Sequence, residues 1–154
     1  MTEAFPPVLE LVPQRPPMLL LDAVVAWDGT TLRCAATVGA DWLLLVGDDA
    51  PAAALLEVMA QTVAALHGLR GRARGEPVHV GLLMGCRGLA LHVARLGVGE
   101  RLVASARQAF GMDAVGEFEC RVERASHSGA GAAGPCLAEG TLHVVRSDLE
   151  AQPA

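Results

Sequence analysis

The sequence predicts an α+β fold in which an antiparallel sheet wraps around one long central helix. The first observation is a charge-poor segment, residues 51–69, whose apolar side chains recur at helical spacing. The second is a set of apolar or alternating segments on both sides of it, which are typical of strands. The third is their order, because two strands precede the helix and at least three follow it. This order favours a sheet that curls round a helix over a βαβ repeat.

A hairpin is predicted directly after a proline-rich lead-in. Residues 18–26 are apolar enough for a buried strand, and residues 30–38 supply the returning strand. Between them, Asp28-Gly29 is a strong two-residue hairpin signal. The first apolar stretch is interrupted by Asp22 and is too short to span a bilayer, so we expect no membrane segment.

The central helix is predicted over residues 51–69, with Pro51 as its first residue. Its apolar stripe contains Leu55, Leu56, Met59, Val63 and Leu66. Glu57 carries the only formal charge in this span, so both faces of the helix are poor in charge. Such a helix is normally buried nearly all round. Gly68 and Gly71 are expected to end it.

The rest of the chain predicts further strands, at residues 78–84, 88–93, 101–110, 117–123 and 137–145. The fourth of these alternates strictly, with Phe118, Cys120 and Val122 on one face and charged residues on the other. Residues 129–134 fit the G-x-G-x-x-G pattern, but no helix follows them. We therefore expect a flexible hairpin loop there and no dinucleotide site.

Composition narrows the class of protein. With 154 residues, 52% apolar and 19% charged, the chain predicts one globular domain, with a core at about 11–146 and flexible termini. Its net charge is −5 and its basic cluster is limited to Arg70, Arg72 and Arg74, so no nucleic-acid partner is expected. Four scattered cysteines without a C-x-x-C pair indicate a reducing, cytoplasmic protein. The histidines show no metal-ligand spacing, so no metal is expected.

Several segments together resemble one known family, the bacterial 3-hydroxyacyl-acyl-carrier-protein dehydratases, in the branch associated with aryl-polyene pigments. They are PQRPPMLLLD (13–22), LEVMAQ (56–61), the turn GVGERL (97–102), GLLMGCRGL (81–89) and GEFECRV (116–122). The similarity covers almost the whole chain and implies the hot-dog fold. It also implies a substrate carried on the phosphopantetheine of acyl carrier protein or on coenzyme A, with no separate cofactor.

The resemblance also implies site residues. Dehydration of a 3-hydroxyacyl thioester needs a base, an acid and a donor to the thioester oxygen. Glu57 matches the family's helix carboxylate, and Ala52 and Ala53 occupy the region of the backbone donors. The histidine of this branch is replaced by Gln14, and Leu43 stands where the better-known branch carries its histidine. The match therefore predicts a site with its usual histidine missing.

Further residues around this site have two interpretations each. Gln61, one turn after Glu57, is a candidate substrate-binding residue, or else it hydrogen-bonds Glu57 or a backbone group. Arg87 is a candidate partner for Glu57 and a candidate substrate-binding residue. The arginines of residues 70–74 form either a solvated loop or a basic contact for phosphopantetheine or an acidic carrier. His67 is expected to complement the helix C-terminus and to lie away from Glu57.

Three functions follow from these observations. The first is a 3-hydroxyacyl-carrier-protein dehydratase of fatty-acid or polyketide type, with weak activity because Gln14 replaces histidine. The second is an acyl-CoA or acyl-carrier-protein thioesterase that uses Glu57. The third is a non-catalytic subunit paired with an active homologue. In each case we expect at least a homodimer, or a heterodimer with a related subunit, and expect Gln14 to lie in the same pocket as Glu57.

Overall fold

The structure is a computed structural model that describes residues 4–112, 114–127 and 134–151. The predicted loop at residues 129–134 lies, except for Gly134, outside these residues. After a short 3₁₀ turn at Val8–Glu10, the elements in chain order are β1 (Leu21–Trp27), β2 (Thr31–Thr37), β3 (Asp49–Pro51), α1 (Ala54–Ala73), β4 (His79–Leu91), β5 (Arg95–Gly97), β6 (Arg101–Met112), β7 (Val115–Arg124) and β8 (Cys136–Glu150).

The predicted α+β architecture is confirmed. Six strands form one antiparallel sheet in the order β1-β2-β6-β7-β8-β4, while β3 and β5 form a separate two-stranded sheet. The helix α1 packs across the large sheet, and the core lies between them. Its fully buried large side chains come from both layers and include Leu32, Leu55, Met59, Leu66, Leu102, Phe118 and Leu142.

Strand β7 confirms the alternation that its sequence predicts. Phe118, Cys120 and Val122 are buried against the core, whereas Glu119 and Arg121 are exposed on the opposite face. Ion pairs on that outer face connect β7 to its neighbouring strands. The charged side chains there remain in contact with water.

The helix differs from its prediction at both ends. It begins at Ala54, because Pro51 belongs to β3, where it pairs with Arg95. It continues through Gly68 and Gly71 as far as Ala73. Packing overrides the low helix propensity of Gly68, since a Cβ at this position would lie 1.9 Å from the carbonyl oxygen of Leu11. No helix within the described residues is long and apolar enough to cross a membrane.

The two strands predicted at residues 78–84 and 88–93 form one strand, β4. Its pairing with β8 is irregular between Arg87 and Ala90, and Gly88 adopts a φ of +63° there. A β-bulge therefore takes the place of the expected break, because glycine can enter the left-handed region without steric cost.

All four cysteines are free thiols, and Cys86 and Cys136 are only half-buried. Cys34 and Cys120 are buried, and burial raises the pKa of each thiol to about 12. Both therefore stay protonated near neutral pH and behave as small core residues.

Candidate functional site

A fully buried amide, that of Gln61, joins the lead-in segment to the helix. Its Oε1 accepts a hydrogen bond from the Leu20 N–H at 2.8 Å. Its Nε2 donates to the Met18 carbonyl at 2.7 Å and to Oε1 of Glu57 at 2.8 Å. Since the Leu20 N–H can only donate, it fixes which end of the amide is the oxygen. Gln61 thus makes both predicted contacts at once, to Glu57 and to the backbone.

The lead-in itself is held by local hydrogen bonds before it reaches the helix. The Arg15 guanidinium donates to the carbonyl oxygens of Val12 and Gln14, at 2.8 and 2.9 Å. The Met18 N–H donates back to the Arg15 carbonyl at 2.9 Å. These contacts form a compact turn, which brings Gln14 to the same side of α1 as Glu57.

Glu57 and Gln14 line one cavity of about 270 Å³. Both residues are half-buried. One carboxylate oxygen of Glu57 is bound by Gln61, and the other accepts no hydrogen bond within the described part of the chain. The side-chain Oε1 of Gln14 is buried and has no hydrogen-bond partner there. A buried acceptor without a donor is costly, so a ligand hydroxyl or amide would stabilise it.

Two other predicted groups lie outside this cavity, the helix-start alanines and Arg87. Ala52 is buried and its N–H already donates to the Ala94 carbonyl at 3.0 Å, so that N–H is not free to bind a thioester. Ala53 is exposed at the helix start, and neither alanine lines the cavity. Arg87 lies on β4, pairs with Glu117 at 3.5 Å and contacts a different concave surface. The structure therefore does not bring Arg87 to Glu57.

His67 lines the cavity, although the sequence places it away from Glu57. The cavity runs along α1 and therefore reaches residues well beyond the first turns of the helix. The ring packs edge-to-face on Phe118, with centroids 5.1 Å apart. Solvent reaches it through the cavity, yet desolvation, and then the charges of Arg70, Arg146 and Arg74, lower its pKa to about 4. The sequence did contain a signal for the position of His67, because this residue follows Ala60 and Ala64 along the small-residue stripe of α1.

The three predicted arginines have separate surroundings. Arg70 donates to Gln108 at 2.6 Å and lies over the Trp27 ring, 5.6 Å from its centroid. Arg72 pairs with Glu10 at 2.8 Å on the surface. Arg74 alone among the three lines the cavity, where it binds the carboxylate of Glu76 through two nitrogens at 2.8 and 3.0 Å.

Three side chains with metal-ligand chemistry meet elsewhere on the molecule. The ligand atoms of His92, Cys136 and Glu139 all lie within 4.8 Å of one another. Sequence spacing did not indicate this cluster, because β4 and β8 bring it together only in the fold. Arg121 donates to Glu139 at 3.1 Å. The positive charge of this guanidinium disfavours the binding of a metal cation at the same carboxylate.

Solved structures of other proteins resemble this fold. The dehydratase heterocomplex ApeI:P from Xenorhabdus doucetiae matches with a TM-score of 0.83 and 24% identity, over 94% of this chain and 93% of that one. The PaaI protein of the E. coli phenylacetic acid degradation operon gives 0.57 and 14%, over 80% and 81%. A hypothetical thioesterase from Streptococcus pneumoniae, solved with coenzyme A, gives 0.55 and 10%, over 80% and 84%. One helix against a large antiparallel sheet, shared with these structures, defines a hot-dog protein.

The family follows from the sequence match. The ApeP dehydratase family matches residues 6–153, nearly the full length, and the chain belongs to this ApeP-like family. This confirms the predicted resemblance to hot-dog dehydratases of the aryl-polyene type. No curated protein sequence is significantly similar to the chain.

Proposed function

We propose that this protein binds 3-hydroxyacyl thioesters, carried on acyl carrier protein or coenzyme A, and removes water from them slowly. Glu57 is the proton-transfer group, and Gln14 is a hydrogen-bonding group without acid–base function. The observation that supports this most directly is the shared cavity, which Glu57 and Gln14 both line and beside which the Gln14 oxygen is buried without a partner among the described residues. Membership of a dehydratase family supports the reaction class.

The proposed elimination needs only one carboxylate. The free oxygen of Glu57 takes the proton from C2 of the substrate, while the C2–H electron pair forms the C2–C3 double bond. The C3–O bond breaks, and the proton held by Glu57 is passed to the departing hydroxyl, which leaves as water. Glu57 returns to its charged form, so atoms and charge balance. Gln61 supports the reaction by holding the other carboxylate oxygen in place.

Gln14 limits the rate in this proposal. Its Oε1 accepts a hydrogen bond from the substrate hydroxyl and orients it, but an amide does not exchange protons reversibly near neutral pH. A positioned acid–base group contributes about 10²- to 10⁴-fold in rate. Glu57 must therefore act nearly alone, which predicts binding with slow turnover.

The test uses a 3-hydroxyacyl-carrier-protein substrate and three variants. Gln14→His is expected to raise the dehydration rate by about 10-fold or more, because a second proton-transfer group enters the cavity. Adding Glu57→Gln is expected to remove this gain. Glu119→Gln is the control, because Glu119 is exposed on the outer face of β7, where it pairs with Arg107. Fast native turnover that survives Glu57→Gln would show that the active site lies elsewhere.

A role as a subunit of a heterocomplex is the second candidate, supported by the ApeI:P heterocomplex as a structural relative. In that case a related subunit supplies the missing base, and the isolated chain binds substrate without turnover. Dehydration that appears only on mixing with an active homologue would favour this role. Release of free thiol from an acyl-CoA would instead favour the thioesterase.

A further inference from the structure

The cavity that begins at Glu57 extends along the helix. Its helix side carries the small side chains of Ala60 and Ala64, and its sheet side carries Leu83 and Val144. Ten residues separate Glu57 from His67, which corresponds to a rise of about 15 Å along an α-helix. The middle of the cavity is thus an apolar slot, suited to the methylene groups of a long ligand.

The end of the slot farthest from Glu57 is cationic. Arg74 and Arg146 both line it, together with one carboxylate, that of Glu76. Arg74 is already bound to Glu76, whereas the Arg146 guanidinium makes no hydrogen bond or ion pair with any described residue. Arg146 pairs in register with Gly81 of β4, so no side chain opposite it fills the space.

Two histidines at this end add hydrogen-bonding capacity without adding a compensating negative charge. The Nδ1 atom of His79 is buried and has no hydrogen-bond partner among the described residues. The lowered pKa of His67 keeps its ring neutral near pH 7, and the neighbouring arginines contribute to that shift. The exposed Arg146 guanidinium lies near enough to Glu76 to act on its carboxylate but does not hydrogen-bond it, so its donors remain available for charge-assisted hydrogen bonds to a bound anion.

We propose that the slot binds a thioester ligand whose anionic group, a phosphate or a carboxylate, is held by Arg146 while its thioester lies at Glu57. This inference rests on the proposed function and specifies the ligand of that site. Two sources supply this chemistry: the phosphate of a phosphopantetheine arm, or a carboxylate at the far end of the acyl chain. In either case the apolar slot holds the part of the ligand between the thioester and the anion.

Calorimetric titration with three ligands tests the proposal. They are octanoyl-pantetheine, which has no charge, octanoyl-phosphopantetheine, and the pantetheine thioester of octanedioic acid, which has a free carboxylate. None can be dehydrated, so binding is separated from catalysis. The native protein is expected to bind one anionic ligand about 10-fold more tightly than the neutral one, because a charge-assisted hydrogen bond is worth at least that factor.

Arg146→Gln is expected to remove this preference and Arg146→Lys to retain part of it. Arg107→Gln, on the outer face of the sheet, is the control and should change nothing. Loss confined to the phosphate ligand identifies phosphopantetheine, and loss confined to the carboxylate ligand identifies the acyl end.

Two results would overturn this inference but leave the proposed function intact. One is equal binding of all three ligands, and the other is an Arg146→Gln variant that differs from the native protein only in its sedimentation. Failure of all three to bind would overturn the proposed function as well.

Discussion

Gln61 and Gln14 are both glutamines beside Glu57, yet their surroundings give them opposite properties. Every polar atom of the Gln61 side chain is engaged, to Leu20, Met18 and Glu57. The Oε1 atom of Gln14 is buried with no partner in the described structure. Gln61 therefore holds Glu57 against the lead-in, whereas the Gln14 oxygen is left unsatisfied by the described residues. Sequence alone could not separate the two, because the difference depends on which backbone groups the folded lead-in presents.

Replacing Gln61 by leucine is expected to destabilise the protein by about 2–4 kcal/mol, because the Leu20 N–H and the Met18 carbonyl lose their partner. Urea unfolding measures the change. Thr62→Val is the matched control, since Thr62 is also fully buried in α1 but donates only to the Val58 carbonyl of its own helix. It should cost less than about 1 kcal/mol, because the helix already satisfies that carbonyl. Equal losses in the two variants would show that Gln61 does not link the lead-in to the helix.

At the scale of elements, the periodicity of apolar residues predicted which faces of strands and helices are buried. The strict alternation of β7 and the apolar stripe of α1 both reappear as buried faces. The ends of elements were less predictable: Pro51 ends a short strand, and Gly88 forms a bulge within β4 where a break was expected. These features depend on partners distant in sequence, such as β5 for Pro51 and β8 for the bulge. The carboxylate of the candidate site was predictable from its motif, but the presence of Arg146 in the same cavity was not, because no local pattern links it to α1.

The two glycines of α1 have different reasons to be glycine. Gly68→Ala is expected to destabilise the protein by about 1–3 kcal/mol, because its Cβ would meet the Leu11 backbone at 1.9 Å. Gly71→Ala meets only the Glu76 side chain, at 3.6 Å, which is an ordinary contact. It should stabilise the helix by about 0.5–1 kcal/mol, since alanine is the better helix former. Thermal unfolding of both variants measures this, and a shift in the same direction for the two would contradict the packing argument.

The turn between β1 and β2 predicts a pH dependence. The Asp28 carboxylate accepts hydrogen bonds from the Thr31 N–H and from the hydroxyl and N–H of Thr30, which lower its pKa from 3.8 to about 2. Because the folded pKa lies below the unfolded one, this stabilisation is complete above about pH 4 and is lost as the pH falls towards 2. The difference in urea midpoint between the native protein and Asp28→Ala should therefore be constant near neutral pH and shrink below about pH 4. A difference that stays unchanged under acid conditions would rule out this role for the carboxylate.

At the scale of the whole molecule, the two edges of the sheet differ. Strand β1 has seven residues and two register irregularities, which make it a poor template for pairing. Strand β4 has thirteen residues and forms the other edge. Its side chains Leu82 and Met84 are 51% and 66% exposed, in a strand whose outer backbone groups pair with no other strand of the described residues. A long apolar edge of this kind favours association, and a second copy of this chain or a related subunit can pair with it.

The isolated protein is accordingly expected to sediment as a dimer at micromolar concentration. Met84→Lys should weaken this dimer, because it places a charge in the contact that buries the β4 edge. Leu43→Lys is the control, since Leu43 is 60% exposed in the loop between β2 and β3, outside β4. A dimer that resists Met84→Lys but not Leu43→Lys would place the contact outside the β4 edge. A native protein that remains monomeric alone and pairs only with a homologue would assign the same edge to a heterodimer, because the unpaired strand still requires a partner. A stable monomer under both conditions would contradict the prediction.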